Sequence, residues 1–340
     1  VKLLGDYYPA GDEYDLVHEV TGRLIPAAGI PLDVGAVVAN VETLVNVAAA
    51  AEGRPVTEKL VTIAGAVGSP ATFRVALGTS LREVIALAGG PTVAEPVVAV
   101  GGLMMGVTGG DLDQPVTKTT GGAIVLPRTH PVVQRKLTGQ PAQRKIGKAA
   151  CDQCRYCTEL CPRYLLGYAV EPHQVMRSLG FTATGAAHFS ALAQLCCACG
   201  LCTLYACPEA LFPKEACDDA KVELRRLGVK PERRTPAKAH PMREGRRVPI
   251  QALMRRLGVT EYAHPAPLSG ATVEAATLRL PLRQGAGAAS RPLVRAGERV
   301  RAGQPLGEIP DGALGAVLHA PCDARVEAVD EGHVVLAREG

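Results

Sequence analysis

The chain has 340 residues, 47% of them hydrophobic and 21% charged, enough for two or three packed domains. A net charge of +4 is too small to imply a nucleic-acid partner. No apolar run is long enough to span a bilayer, so direct membrane insertion is not expected. With no secretory signal in view, a cytoplasmic protein with reduced cysteines is expected, possible settings being a microcompartment lumen or the periphery of a membrane complex.

The chain opens at Val1, which suggests a processed or truncated product and an upstream domain. In residues 1–54, DEYDLVHEVTG begins with acids that suit a helix start, and NVETLVNVAAAAEG carries an apolar stripe that stops at Gly53. Residues 55–127 read as a small β-rich domain. EKLVTIAG, ATFRVALG, EPVVAVGG and GGAIVLP are short strand candidates bounded by Gly and Pro. Between them SLREVIALAGG offers Ser80 and Glu83 as a capping box before a helical stripe. Strand, strand, helix, strand in this length predicts a β-grasp arrangement.

Residues 128–148 form a basic linker, with Arg128, Arg135, Lys136, Arg144, Lys145 and Lys148 and no acid. Such a run is usually a solvated face; directly before a redox motif it could also steer an acidic partner. A third domain spans 149–228. Val175, Met176, Leu179, Leu192 and Leu195 lie at core spacing in a mostly helical middle, and KEACDDAKVELRRLG closes it as a helix. Residues 229–275, rich in Pro and Arg, read as an extended arm with one short helix, IQALMRRLG. Residues 276–340 alternate apolar and polar between Gly turns and read as all-β.

Eight of the eleven cysteines fall into two clusters that each end in Cys-Pro. They are Cys151, Cys154, Cys157 and Cys161 in CDQCRYCTELCP, and Cys196, Cys199, Cys202 and Cys207 in CCACGLCTLYACP. A C-x2-C-x2-C run with a fourth cysteine before proline is the bacterial-ferredoxin spacing for [4Fe–4S] clusters. Three thiolates on one loop hold one cubane, and the fourth reaches the neighbouring one. This crossed rule assigns Cys151, Cys154, Cys157 and Cys207 to one cluster and Cys196, Cys199, Cys202 and Cys161 to the other. Zinc favours two separated Cys-x2-Cys pairs, which this run suits poorly. Four residues, not three, separate Cys202 from Cys207. Cys197 is read as a non-ligand, and Cys217 and Cys322 as small hydrophobes. Lone histidines such as His130 and His173 are read as structural rather than as cobalt ligands.

Beyond these motifs, YYPAGDEYDL followed by NVETLVNV resembles the second half of the flavin domain in the NADH-oxidising subunit of respiratory complex I. That resemblance implies FMN and NADH, with Gly11, Asp12, Glu13, Asn40 and Thr43 near flavin or nicotinamide. Ala39 stands where that family has the first Asn of its pair, and the Gly-rich FMN loop would lie upstream. The C-terminal VRAGERVRAGQPL resembles the first half of the biotinyl/lipoyl-like barrel-sandwich fold, but residues 309–321 contain no carrier lysine. The order of parts resembles the RnfC/PduS superfamily, nearest its PduS branch of cobalamin reductases. The resemblance implies an α+β multidomain protein: a flavin-domain remnant, a β-grasp (SLBB) domain, a dicluster ferredoxin-like α-helical domain and a C-terminal barrel-sandwich hybrid. It further implies an electron-transfer oxidoreductase module, NADH-dependent when full length. Electrons would run from NADH and FMN through two [4Fe–4S] clusters to a corrinoid, a redox protein or corrinoid-enzyme partner, or a membrane Rnf-type partner. The alternative is an iron–sulfur scaffold or ligand-binding module whose clusters are structural.

Overall fold

The computed structural model describes residues 1–180, 190–233, 236 and 238–339. The chain sorts into two compact units, Val1–Val38 with Gln134–Thr260, and Ala39–Val133 with Glu261–Gly340.

In the first unit, strand Tyr7–Tyr8 pairs antiparallel with Val248–Pro249. The helix Glu13–Thr21 starts where Asp12 accepts hydrogen bonds from the Tyr14 and Asp15 amides, and stops at Gly22, φ +72°. Buried Asp15 accepts the Tyr7 hydroxyl proton at 2.6 Å and pairs with Arg243 at 2.7 Å, tying the chain's start to residues more than two hundred positions later. The basic run is helical rather than a plain connector, forming helices Pro131–Leu137 and Gln140–Ala150. Gly147 lets Gln140–Ala150 approach the helix Pro172–Ser178; a Cβ there would meet the Met176 methyl at 2.9 Å. Helix Pro213–Arg226 completes this packing around Val175, Met176, Leu211, Ala216, Cys217 and Ala220. Of the helical middle expected between the motifs, residues 181–189 lie outside the described residues. The arm's expected short helix is present as Ile250–Leu257, closed by Gly258 at φ +70°.

The second unit contains a five-stranded sheet in the order Ala71–Ala76, Glu58–Gly65, Gly122–Pro127, Pro96–Val100, Val107–Thr108. The central pair is parallel and the others antiparallel. Helix Leu81–Leu87 opens with the Ser80–Glu83 capping box. Gly65 ends its strand at φ +92°, where a Cβ would sit 2.1 Å from the Val125 carbonyl oxygen; no side chain fits there. The C-terminal strands form a four-stranded and a three-stranded sheet. Their Leu278, Leu280, Val326, Val334 and Leu336 share one core with Val61, Ile63 and Phe73 of the five-stranded sheet and Leu81 of the helix. Among the described residues no helix is long and apolar enough to cross a membrane.

Candidate metal centres

The two cysteine motifs have matching backbones. In the first, Gln153 and Arg155 take left-handed conformations, φ +62° and +71°; in the second, Ala198 and Gly200 do so, φ +56° and +82°. These are the same two steps in each loop. The correspondence aligns Cys151 with Cys196, Cys154 with Cys199 and Cys157 with Cys202. It puts Cys197 opposite Asp152, a position between thiolates. Left-handed residues alternating with right-handed ones turn backbone N–H groups inward, a concavity suited to anionic groups such as iron–sulfur clusters.

One cavity is lined by Cys151, Cys154, Cys157 and Cys207, with His173 and Met176 on its wall. A second is lined by Cys161, Cys196, Cys199 and Cys202, with Cys197 and Lys214 beside them. Each cavity thus gathers three cysteines from one motif and the Cys-Pro cysteine of the other. The longer gap before Cys207 is absorbed by a π-helical turn over Cys202–Ala206, which takes one more residue per turn than an α-helix needs. Arg135 fixes that turn by donating to the carbonyls of Thr203 at 2.7 Å and Leu211 at 3.0 Å, while Arg256 donates to the Cys207 carbonyl at 3.2 Å.

Sulfur also has donors. The Leu211 amide lies 3.3 Å from Cys207 Sγ, the Ala198 amide 3.4 Å from Cys196 Sγ, and the Gln153 amide nitrogen Nε2 3.2 Å from Cys151 Sγ. Burial pushes the Cys157 thiol up to about 12 and raises Cys161 and Cys202 further. Such thiols ionise only when a cation takes the proton's place, as a bound metal does. Among the described residues no three His, Cys, Asp or Glu side chains close on a single ion. A cubane gives each thiolate its own iron, so four thiolates around a volume is the arrangement it requires. The donor set fits [4Fe–4S] clusters.

The cavities differ in exposure. Cys154 is exposed and Cys151 half-buried, whereas Cys161, Cys199 and Cys202 are all buried. Cys217, read from sequence as a small hydrophobe, is fully buried in the packed cluster that Cys196 borders. Cys322 is half-buried against the second unit's core. His173 bonds Thr158 Oγ1 at 2.8 Å and His130 accepts from the Val132 amide at 3.2 Å, both structural placements.

The flavin-type residues divide between the units. Asp12 caps its helix and pairs with Arg163 at 2.9 Å, while Gly11 and Glu13 are exposed. In the other unit, Asn40 caps helix Val41–Ala51 through the Glu42 amide at 3.0 Å, and Thr43 is exposed. Asp12 and Asn40 thus each cap a helix in their own unit. Sequence reasoning missed Tyr8, Arg135, Arg163 and Arg256, since isolated tyrosines and arginines carry no spacing signal. Tyr8, held protonated by burial, donates its hydroxyl to the Cys199 carbonyl at 2.8 Å.

Comparison with known proteins agrees with this architecture. Residues 150–212 match the 4Fe-4S dicluster domain, 1–49 the Nuo51 FMN-binding domain, 60–108 the SLBB domain, and 261–339 the RnfC barrel sandwich hybrid domain. The cobalamin reductase PduS of Salmonella typhimurium is 41% identical over 339 residues, covering 99% of this chain and 75% of that protein. That of Citrobacter freundii is 40% identical over 342 residues, with the same coverage. One component of the proton-translocating ferredoxin:NAD(+) oxidoreductase complex of Clostridium ljungdahlii is 35% identical over 162 residues, 46% of this chain and 32% of that component. Two [4Fe–4S] clusters, flavin-domain sequence at the start, and this pattern of relatives mark an oxidoreductase that works with a redox partner, and the chain belongs to the PduS family within the RnfC/PduS superfamily of electron-transfer proteins.

Proposed function

We propose that this chain is the iron–sulfur relay of a cobalamin reductase, taking electrons of NADH and FMN origin and delivering them to a corrinoid. The observation that carries the reading is the pair of cysteine cavities, each completed by the other motif's last cysteine. It supports the crossed ligand sets, with Cys151, Cys154, Cys157 and Cys207 around one cluster and Cys196, Cys199, Cys202 and Cys161 around the other. Bound there, the clusters supply one-electron transfer. The protein's residues do the rest. Leu211, Ala198 and Gln153 donate to sulfur, and Cys161, Cys199 and Cys202 of the second cavity are buried.

The chain also supports a direction. The segment that matches a flavin domain reaches the second motif through Tyr8 and the Cys199 carbonyl, which favours entry at the buried cavity. Exposed Cys154 favours exit at the first. A corrinoid acceptor is preferred to a membrane Rnf-type partner because the PduS likeness covers 99% of the chain and the ion-pump likeness 46%. A scaffold with structural clusters would not need an exposed ligand edge.

The test is anaerobic stopped-flow. The reconstituted chain, reduced chemically and freed of reductant, is mixed with cob(II)alamin or with an acidic ferredoxin. Corrinoid-dependent reoxidation of both clusters is expected. Clusters that stay reduced in cob(II)alamin but reoxidise with the ferredoxin would reject the corrinoid assignment; clusters that cannot be reversibly reduced would reject the relay.

A further inference from the structure

Immediately after Cys161 and Pro162 comes Arg163, whose side chain is only 8% exposed. Its guanidinium carbon lies 3.5 Å from the centre of the Tyr14 ring. Nη2 donates to Asp12 Oδ2 at 2.9 Å. Nε is buried with no hydrogen-bond partner. The Tyr14 ring beneath the guanidinium belongs to one packed cluster with Cys161 and Cys196, which line the second cavity. Two further cations on this side, Lys214 and Lys221, are more exposed, and both pair with Asp218. Arg163 is therefore a deeply buried positive charge beside the second centre, and Asp12 is its counter-charge.

We infer that the Asp12–Arg163 couple sets the reduction potential of the second-cavity cluster, Arg163 raising it and Asp12 holding it down. A cluster held by four thiolates is already anionic and gains another negative charge on reduction. A buried cation beside it stabilises the reduced form most, because the field is weakly screened there. Asp12 cancels part of that field. The two residues then act as positioning charges of opposite sign, and the acid set aside by sequence pattern for flavin chemistry acts on the metal centre. The inference rests on the crossed ligand reading only for which cysteines surround the second cavity.

The experiment is a redox titration of the anaerobically reconstituted full chain, followed by electron paramagnetic resonance. Cys154→Ser and Cys199→Ser first identify which signal belongs to which cavity. Arg163→Gln should lower the midpoint of the Cys199-linked signal by at least a tenfold change in its reduction equilibrium, about 59 mV for one electron. Arg163→Lys should restore most of it. Asp12→Asn, which keeps a capping side chain, should move the midpoint up. The Cys154-linked midpoint should stay in place throughout. Equal shifts in both signals, a shift of the same sign in Asp12→Asn and Arg163→Gln, or no shift in any variant would overturn the inference. Cys161→Ala checks the ligand reading separately: loss of the Cys154-linked signal there, with the Arg163 shifts still on the other signal, rejects the crossed set and upholds the electrostatic role.

Discussion

The cysteine that closes each motif is the residue on which the crossed arrangement turns. Cys161 is buried in the cavity of Cys196, Cys199 and Cys202, so Cys161→Ala should remove that cluster and spare the one beside Cys154. Iron should fall from about eight to about four per chain, counted by iron and labile-sulfide assay. Cys197→Ala should keep all eight, because Cys197 occupies the position that Asp152 holds in the first loop. Loss of iron beside Cys154 in Cys161→Ala would mean that each motif serves its own cubane. The eight cysteines were legible because ligand spacing is local and repeated. Arg163 and Cys217 were not: Asp12, which pairs with Arg163, and Cys196, which borders the cluster around Cys217, lie 151 and 21 positions away, and no periodicity marks them.

At the scale of the element, helix Glu13–Thr21 begins on a side chain with two duties. Asp12 satisfies two amides and neutralises a buried guanidinium. Removing the cap costs about 1 kcal/mol, and stranding a buried charge costs about 3–5 kcal/mol. Asp12→Ala should therefore lower unfolding stability by several kcal/mol in denaturant titration, and Asp12→Asn by clearly less, since Asn still caps. Equal losses would show that the cap contributes nothing. Most element types were readable. The Ser80–Glu83 box, the glycine stop at Gly53, and strand Glu58–Gly65 follow from local chemistry. The π-turn at Cys202–Ala206 was not readable, because an additional residue in a motif can equally lengthen a loop, and the Arg135 that donates to its Thr203 carbonyl lies 67 positions before the turn.

For the whole molecule, the sequence pattern separated a β-grasp region from an all-β C-terminus, whereas their buried side chains form one core. Alternation along a strand tells which face is buried but not which sheet covers it. All eight proposed ligands lie in the unit formed by Val1–Val38 and Gln134–Thr260. Metal binding is coupled to folding, so stripping iron with a chelator should lower the calorimetric transition of that unit by many degrees. The transition of the unit formed by Ala39–Val133 and Glu261–Gly340 should hold its temperature. Gly65→Ala should do the reverse, destabilising the second unit while leaving iron content unchanged. A single transition that moves as one under both treatments would contradict this division.

The solvent-facing edge at Cys154 also decides how the protein ages in air. An iron whose thiolate meets water is the one that oxygen and peroxide reach first, and among the described residues no cysteine of the second cavity is as exposed as Cys154. Brief aerobic exposure should therefore degrade the first-motif centre while the second survives, giving a half-loaded species before the apoprotein. The order of loss can be followed by resonance spectra of samples quenched at intervals. Replacing the neighbouring Tyr156, itself 53% exposed, with a smaller side chain should shorten the lifetime of the first centre and leave that of the second unaltered.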